Sequence, residues 1–312
     1  RPDAPIVTLA GETMGTVWRV RYAEPPAPQP GSDPDGVARA VQAVLDRVTR
    51  EMSHWSPASD LSRFNAAPAG EWMTLPEGFA HVITVALDIA AKSDGAFDPT
   101  LGRLVDLWGH GPPGPCPPPD DATLAAARAS AGWRRLAWDA TTRRLRQPGG
   151  AALDLSGIAK GHAVDAVADA LRAAGLRHFL VEVGGELAGA GIKPNGDPWW
   201  VDLETPPDAT GIAPLRVALH GLSIATSGDY VRGDHTIDPR TGRPLAGGPA
   251  AASVIASSTI AADGWATALA VAGRDHAAAL AMTHGLAARL LWRDGDGWRE
   301  MVTPALASML DG

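Results

Sequence analysis

The segment DLSGIAKGHAVD, Asp154–Asp165, reads as the end of a strand, a glycine-rich turn and the start of a helix. A glycine turn at a helix N-terminus directs unpaired backbone N–H groups and the positive end of the helix dipole outward. Lys160 adds a positive charge at that point. The segment lacks the GxxxxGKS/T spacing of nucleoside-triphosphate loops. It therefore predicts either an anion-binding turn or a tight turn with a solvated lysine.

On both sides of this segment, some stretches alternate in hydrophobicity as strands do and others repeat at helical spacing. The predicted helices are 37–52, 79–92, 123–131, 161–174, 259–272 and 274–284. The predicted strands are 16–22, 178–183, 200–203, 215–219, 252–256 and 288–292, with a hairpin over 134–147. Because the order lacks the regular alternation of a doubly wound sheet, we expect an α+β fold. We expect one domain over residues 1–312, with the Pro-rich loop at about 109–121 inside it.

The composition restricts the function classes. The 312 residues are 45% hydrophobic, enough for a sizeable core, and carry a formal net charge of -8. Nucleic-acid binding needs clustered Lys and Arg, so an acidic chain argues against it. An anionic small substrate would need local donors or a metal cation. The single cysteine, Cys116, cannot form an internal disulfide, and no apolar run approaches the ~20 residues of a membrane helix.

Asp263 and Thr267 lie one helical turn apart in SSTIAADGWATALAVAG. In a helix both side chains face the same way, which places a carboxylate and a hydroxyl together. These hard oxygen ligands suit Mg²⁺, and Mg²⁺ sites with few protein ligands are commonly completed by substrate phosphates. The alternative is structural, with the aspartate favouring the helix dipole and the threonine bonding back to the chain.

A third candidate is SIATSGDY, followed by HTIDPRTGRP. Ser227 offers a hydroxyl in a turn, and His235 could carry a proton near neutral pH. The DPRTG sequence, which starts at Asp238, is also an ordinary turn. A structural role for the histidine therefore stays open at this point.

Taken together and in order, these segments resemble the ApbE family, the FAD:protein FMN transferases. The resemblance covers nearly the whole chain, from GETMGT at 11–16 to ADGWATAL at 262–269. The blocks between them are MSHWSPASDLSRFN, DGAFDPTLGRLVDLWG, LDLSGIAKGHAVD, VEVGGELAGAG and SIATSGDY with HTIDPRTG. Seven ordered blocks are far more specific than any one of them.

The resemblance implies a fold of mostly antiparallel sheets with flanking helices and an FAD cleft between two lobes. It implies Mg²⁺-dependent transfer of the FMN part of FAD to a threonine hydroxyl of a target flavoprotein, with release of AMP. Asp263, Thr267 and the backbone carbonyl of Ala159 would hold the metal. The residues expected to contact FAD are Met14, Trp55, Ala96, Phe97, Asp98, Lys160, Asp165 and Ser227.

The same resemblance gives the expected chemistry. Lys160 would help to neutralise the diphosphate, and His235 is the first choice for the base that takes the acceptor's proton, with Asp238 the second. The chain departs from the family at His54-Trp55, where many members have Thr-Tyr, and at His162, where a tyrosine is common. The loop between Tyr230 and His235 is also unusually short.

Two other functions remain open from the sequence. One is an Mg²⁺-dependent FAD pyrophosphatase that gives FMN and AMP, since water could replace the threonine. The other is a non-catalytic FAD-binding or flavin-delivery protein. Many relatives are lipid-anchored on the periplasmic side, so a periplasmic location is expected, with a cytoplasmic one as the alternative.

Overall fold

The structure is a computed structural model that describes residues 4–25, 31–228, 235–245 and 248–310. Its strands are β1 Ile6–Thr13, β2 Thr16–Ala23, β3 Trp72–Thr74, β4 Ala137–Asp139, β5 Arg144–Arg146, β6 Phe179–Val183, β7 Glu186–Ala190, β8 Trp199–Asp202, β9 Arg216–Leu219, β10 Leu222–Gly228, β11 Ala251–Ala256, β12 Ala287–Asp294 and β13 Gly297–Val302. Its α-helices are α1 Pro34–Met52, α2 Asp60–Ala66, α3 Glu77–Lys92, α4 Gly102–Leu107, α5 Asp121–Ser130, α6 Ala159–Ala173, α7 Thr259–Ala272, α8 Arg274–Thr283 and α9 Pro304–Leu310.

The largest sheet in the described residues has eight strands in the order β1-β2-β6-β7-β10-β11-β12-β13. Every pair of neighbours in it is antiparallel. Two smaller antiparallel sheets have the orders β3-β5-β4 and β8-β9. The predicted α+β class with mostly antiparallel sheets is confirmed.

The core lies between the large sheet and the helices α1, α3, α6 and α7. Helix α1 begins at an Asp33 N-cap whose Oδ1 accepts the N–H of Gly36 at 2.8 Å, and its apolar residues Val41 and Leu45 are fully buried. Burial of each such side chain contributes about 1.5–3 kcal/mol. The prediction of a single domain over residues 1–312 stays a prediction.

Helix α7 is buried on nearly every side, because it packs on β10 and β11 and against α3, α6 and α8. Only Ala261 and Thr267 of its fourteen residues are partly exposed. A helix that is apolar all round belongs in a core. An aspartate in its middle therefore needs a specific partner, since an unpaired buried charge is costly.

The predicted elements around the opening segment are nearly right in their bounds. Helix α6 begins at Ala159, two residues before the predicted start, and β6 covers the predicted strand apart from its first residue. Among the described residues, no helix combines the length and the apolar character that a membrane crossing requires.

Candidate active site

Helices α6 and α7 cross at Gly161, and a carboxylate on each helix accepts backbone hydrogen bonds from the other. The N–H of Gly161 donates to Asp263 Oδ2 at 2.9 Å. In return, Asp165 accepts the N–H of Thr259 at 2.8 Å and of Ile260 at 2.9 Å, one on each oxygen. A Cβ on Gly161 would lie 2.4 Å from the carbonyl oxygen of Thr259, so only glycine permits this approach.

Asp263 lies on the cleft side of this crossing, and only 2% of it is exposed. Burial raises the pKa of its carboxyl, while Lys160 and the N–H of Gly161 lower it. One turn further along α7, Thr267 Oγ1 donates to the carbonyl oxygen of Gly157 at 3.2 Å and lies 3.2 Å from Ser227 Oγ. The helix therefore places a carboxylate, a hydroxyl and a main-chain carbonyl of the 154–158 turn in one region.

Lys160 forms an ion pair with Glu186 at the same end of α6. Glu186 is the first residue of β7, and the Gly184–Gly185 turn before it takes positive φ angles of 61° and 104°. Only 2% of Glu186 is exposed, and among the described residues its Oε2 has no hydrogen-bond partner. Burial raises the pKa of this carboxyl, and the ammonium of Lys160 opposes that shift.

These groups form one wall of a cleft with a volume of about 550 Å³. Nine residues that the sequence predicted for the site line the cleft together: Trp55, Ala96, Phe97, Asp98, Lys160, Ser227, His235, Asp263 and Thr267. They come from distant parts of the chain, between residues 55 and 267. The loop between Tyr230 and His235 lies outside the described residues, which begin again at His235.

The cleft is also lined by a fixed loop and an exposed ring. Asp98 accepts the N–H of Thr100 at 2.9 Å and of Trp133 at 3.0 Å, so its carboxylate holds its own loop in shape. Burial raises the pKa of this carboxyl. The Trp55 side chain is 59% exposed at the cleft, with its ring 5.4 Å from that of His54. An exposed tryptophan at a cleft offers a surface on which an aromatic ligand can stack.

Four of the predicted site residues do not line the cleft. Met14 lies in the β1–β2 turn with a φ of 48° and packs against the core. Asp165 uses both carboxylate oxygens on the start of α7. Asp238 is bonded to the backbone N–H of Arg240 at 2.8 Å and to its Nε at 3.0 Å. Ala159 is the first residue of α6, where helix geometry directs its carbonyl along the helix axis.

The sequence did not single out three of the carboxylates that line the cleft: Glu186, Asp154 and Glu204. The only signal for Glu186 was its place directly after a strand and a Gly-Gly turn. The carbonyl of Gly157 was not predicted either, because a backbone oxygen leaves no trace in residue type.

The donors at the crossing suit a hard divalent cation better than a soft one. The described residues hold no group of three or more His, Cys, Asp or Glu side chains that could bind a metal. What α7 and the turn offer instead is one carboxylate, one hydroxyl and one carbonyl, all oxygen donors. Mg²⁺ takes such ligands and commonly completes its shell with water and substrate phosphate.

The chain is similar to one group of proteins over its whole length. The sequence profile of the ApbE family matches residues 14–290. An FAD:protein FMN transferase of Klebsiella pneumoniae is 34% identical over 100% of this chain and 91% of the relative. One of Vibrio cholerae is 34% identical over 97% of this chain and 92% of the relative.

Solved structures agree with this similarity. The apo form of the flavinyl transferase ApbE of Pseudomonas stutzeri superposes with a TM-score of 0.92 at 36% identity, over 99% of this chain and 98% of that one. The flavin transferase ApbE of Vibrio cholerae gives a TM-score of 0.91 at 33% identity, over 98% of this chain and 99% of that one.

Proposed function

The chain belongs to the ApbE family, and on that premise we propose that it is an FAD:protein FMN transferase that uses Mg²⁺. The enzyme transfers the FMN part of FAD to a threonine hydroxyl of an acceptor flavoprotein and releases AMP. The observation that carries the proposal is the meeting of Asp263, Thr267 and Lys160 in one cleft with an exposed Trp55. A diphosphate next to an aromatic ring system fits this arrangement.

Asp263, Thr267 and a main-chain carbonyl would hold the metal ion. The carbonyl that supports this role is that of Gly157, because it lies 3.2 Å from Thr267 Oγ1. The carbonyl of Ala159, the sequence-based choice, is directed along α6 by helix geometry. When bound, Mg²⁺ neutralises the charge of the diphosphate, which is its usual contribution to phosphoryl transfer.

The chain's own residues bind and orient FAD. Lys160 donates to a phosphate oxygen while Glu186 holds its ammonium at the cleft. Trp55 covers the flavin face, and the loop at Ala96–Asp98, braced by Thr100 and Trp133, forms another part of the cleft wall. Such positioning and charge complementarity supply most of the rate acceleration in phosphoryl transfer. Asp165 and Met14 support the fold at the edge of the site.

His235 is the base in this proposal. The threonine oxygen of the acceptor attacks the FMN-side phosphorus, the bond from that phosphorus to the AMP phosphate oxygen breaks, and His235 takes the hydroxyl proton. His235 lines the cleft. Asp238 is the weaker candidate, because Arg240 engages both of its carboxylate oxygens.

The test uses the purified chain with FAD, Mg²⁺ and a threonine-bearing apo-flavoprotein. Mass spectrometry of the acceptor should show a covalent FMN on a threonine, and chromatography should show one AMP for each FMN transferred. His235→Gln should bind FAD and fail to label the acceptor. Free FMN with AMP and an unmodified acceptor would instead indicate the pyrophosphatase. Stable FAD binding without AMP would indicate the flavin-delivery protein.

A further inference from the structure

A second cavity adjoins the cleft, and none of the proposed FAD or metal contacts line it. Its volume is about 940 Å³. Helices α2, α4 and α5, the Pro-rich loop and the segment before α6 form its walls. His54, Val105 and Asp154 line both this cavity and the cleft, so the two spaces share a wall.

Small side chains line much of the second cavity. Ala66 at the end of α2 and Ala126 on α5 are exposed to it from different walls, and Gly102 and Ala152 line it as well. A pocket of this volume is within the range that binds a ligand of several residues. Small wall residues let a polypeptide backbone approach closely, as at other tight backbone contacts.

The walls of this cavity are fixed to the segment that carries the proposed base. Trp108 Nε1 donates to the carbonyl oxygen of Gly242 at 2.8 Å, and Arg128 of α5 donates to the carbonyl oxygen of Arg240. Arg243 forms an ion pair with Asp121 at 2.7 Å. These contacts fix residues 240–243 to the helices around the second cavity, and His235 of the same segment lines the cleft.

On the other wall, Asn65 of α2 is bonded to the chain that leads into the metal-site turn. Its Nδ2 donates to the carbonyl oxygen of Leu153 at 3.0 Å, and its Oδ1 accepts the N–H of Leu153 at 2.7 Å. Both walls of the cavity are thus connected by hydrogen bonds to the two sides of the reaction site. A ligand bound between these walls would therefore have a fixed position relative to His235 and to the diphosphate.

We propose that this second cavity binds the acceptor's polypeptide segment next to the target threonine, in an extended conformation. The inference rests on the proposed transferase function, because that reaction requires a protein hydroxyl to reach the FMN-side phosphorus. The cleft has to contain FAD, so the acceptor chain needs a separate space that opens onto it. The second cavity supplies such a space, because His54, Val105 and Asp154 line both it and the cleft.

Two substitutions that fill the cavity test this assignment. Ala66→Trp and Ala126→Trp each place a bulky ring in it from a different wall, and both positions are exposed, so the fold should tolerate them. Ala125→Trp is the matched control, because Ala125 is exposed on the same helix and does not line the cavity. The probe is a threonine-bearing apo-flavoprotein that the wild-type chain labels with FMN.

The filled variants should raise the KM for this acceptor by about tenfold or more, the loss that follows when a buried anchor site is blocked. Their Kd for FAD, from fluorescence quenching, and their melting temperatures should match those of wild type and of Ala125→Trp. An unchanged acceptor KM in both variants would overturn the assignment. Loss of FAD binding would overturn it as well, because the cavity would then belong to the FAD site. If the wild-type chain labels no apo-flavoprotein, the proposed function itself fails.

Discussion

Asp165 and Asp263 occupy matching places on two crossed helices, yet the chain uses them differently. Asp165 of α6 accepts two N–H groups at the start of α7, one on each oxygen. Asp263 of α7 accepts one N–H, that of Gly161, on Oδ2. Burial raises the pKa of both carboxyl groups. The difference is that Asp263 lines the cleft and Asp165 does not.

In our proposal, this difference separates a carboxylate that supports the fold from one that holds the metal ion. Two backbone hydrogen bonds satisfy the first turn of α7, which otherwise has unpaired N–H groups. One hydrogen bond from Gly161 orients Asp263, and one turn further along the same helix Thr267 Oγ1 lies 3.2 Å from the carbonyl oxygen of Gly157. Sequence position could not reveal this, since both aspartates lie within helices and their backbone partners are distant in the chain.

Asp263→Asn should give the largest effect of the substitutions at this crossing. The amide keeps the shape and removes the charge that the proposed Mg²⁺ site needs, so Mg²⁺-dependent AMP release should fall on the order of a thousandfold. Steady-state assays with FAD and Mg²⁺ measure this loss, with Asp165→Asn as the control of equal chemistry. Turnover near the wild-type level in Asp263→Asn would contradict the proposal that the Asp263 carboxylate holds the metal ion.

His162 follows Gly161 in α6. Its substitution tests whether a group in this part of the helix affects the free energy of unfolding without affecting turnover. Burial, followed by the nearby His81 and Arg47, lowers its pKa from 6.5 to about 4. Between pH 6.5 and 4 the unfolded chain binds a proton that the folded chain does not, so the free energy of unfolding decreases as pH falls. His162→Gln should remove up to about 3 kcal/mol of this loss.

Urea unfolding at pH 7 and pH 4.5 measures this contribution. The exposed His276→Gln is the control, and it should keep the wild-type difference between the two pH values. Turnover of His162→Gln at pH 7 should stay at the wild-type level. An unchanged pH dependence of unfolding in His162→Gln would contradict the burial argument.

Asp165→Ala should weaken the fold and leave the metal response in place. Two N–H groups at the start of α7 lose their acceptors, which costs about 2 kcal/mol. The control is Asp169→Ala on the same helix, because Asp169 forms an ion pair with Arg172 at the surface. Melting curves measure the stability, and AMP release measures the metal response. A stable Asp165→Ala variant that has lost its Mg²⁺ response would contradict the claim that Asp165 supports the fold and Asp263 holds the metal ion.

Lys160→Met should have the smallest of these effects. Loss of one charge-assisted hydrogen bond to the diphosphate should raise the Kd for FAD about tenfold. Lys92→Met is the control, because Lys92 forms a similar ion pair with Asp88 on the surface, at 2.7 Å. Fluorescence titration with FAD in the presence of Mg²⁺ gives both constants. Equal constants for Lys160→Met and wild type would exclude Lys160 from the FAD site.

The sequence predicted the fold class and nine of the residues that line the cleft, because both depend on residue type and order. The sequence predicts one site that contains Asp263, Thr267, Lys160, His235 and Trp55, and in the structure all five line the same cleft. Other features depend on where the chain lies in space. The carbonyl of Gly157 faces Thr267 only because Gly161 lets α6 and α7 touch.

The predicted roles of Asp165 and Asp238 stay predictions, although neither residue lines the cleft. Both oxygens of each carboxylate are engaged by hydrogen-bond partners, which for Asp238 belong to Arg240. For Asp165 these are N–H groups that lie 94 and 95 residues away in the chain. Glu186 was missed because its partner Lys160 is 26 residues distant and on another element.

The most direct test of this account is metal binding itself, measured on the wild-type chain, Asp263→Asn and Asp165→Asn. Isothermal titration of Mg²⁺ into each protein with saturating FAD reports binding without any need for turnover. We expect the wild type and Asp165→Asn to bind Mg²⁺ with similar affinity, and Asp263→Asn to show no measurable heat of binding. Equal Mg²⁺ affinity in Asp263→Asn and wild type would contradict the assignment of Asp263 as the metal-binding carboxylate.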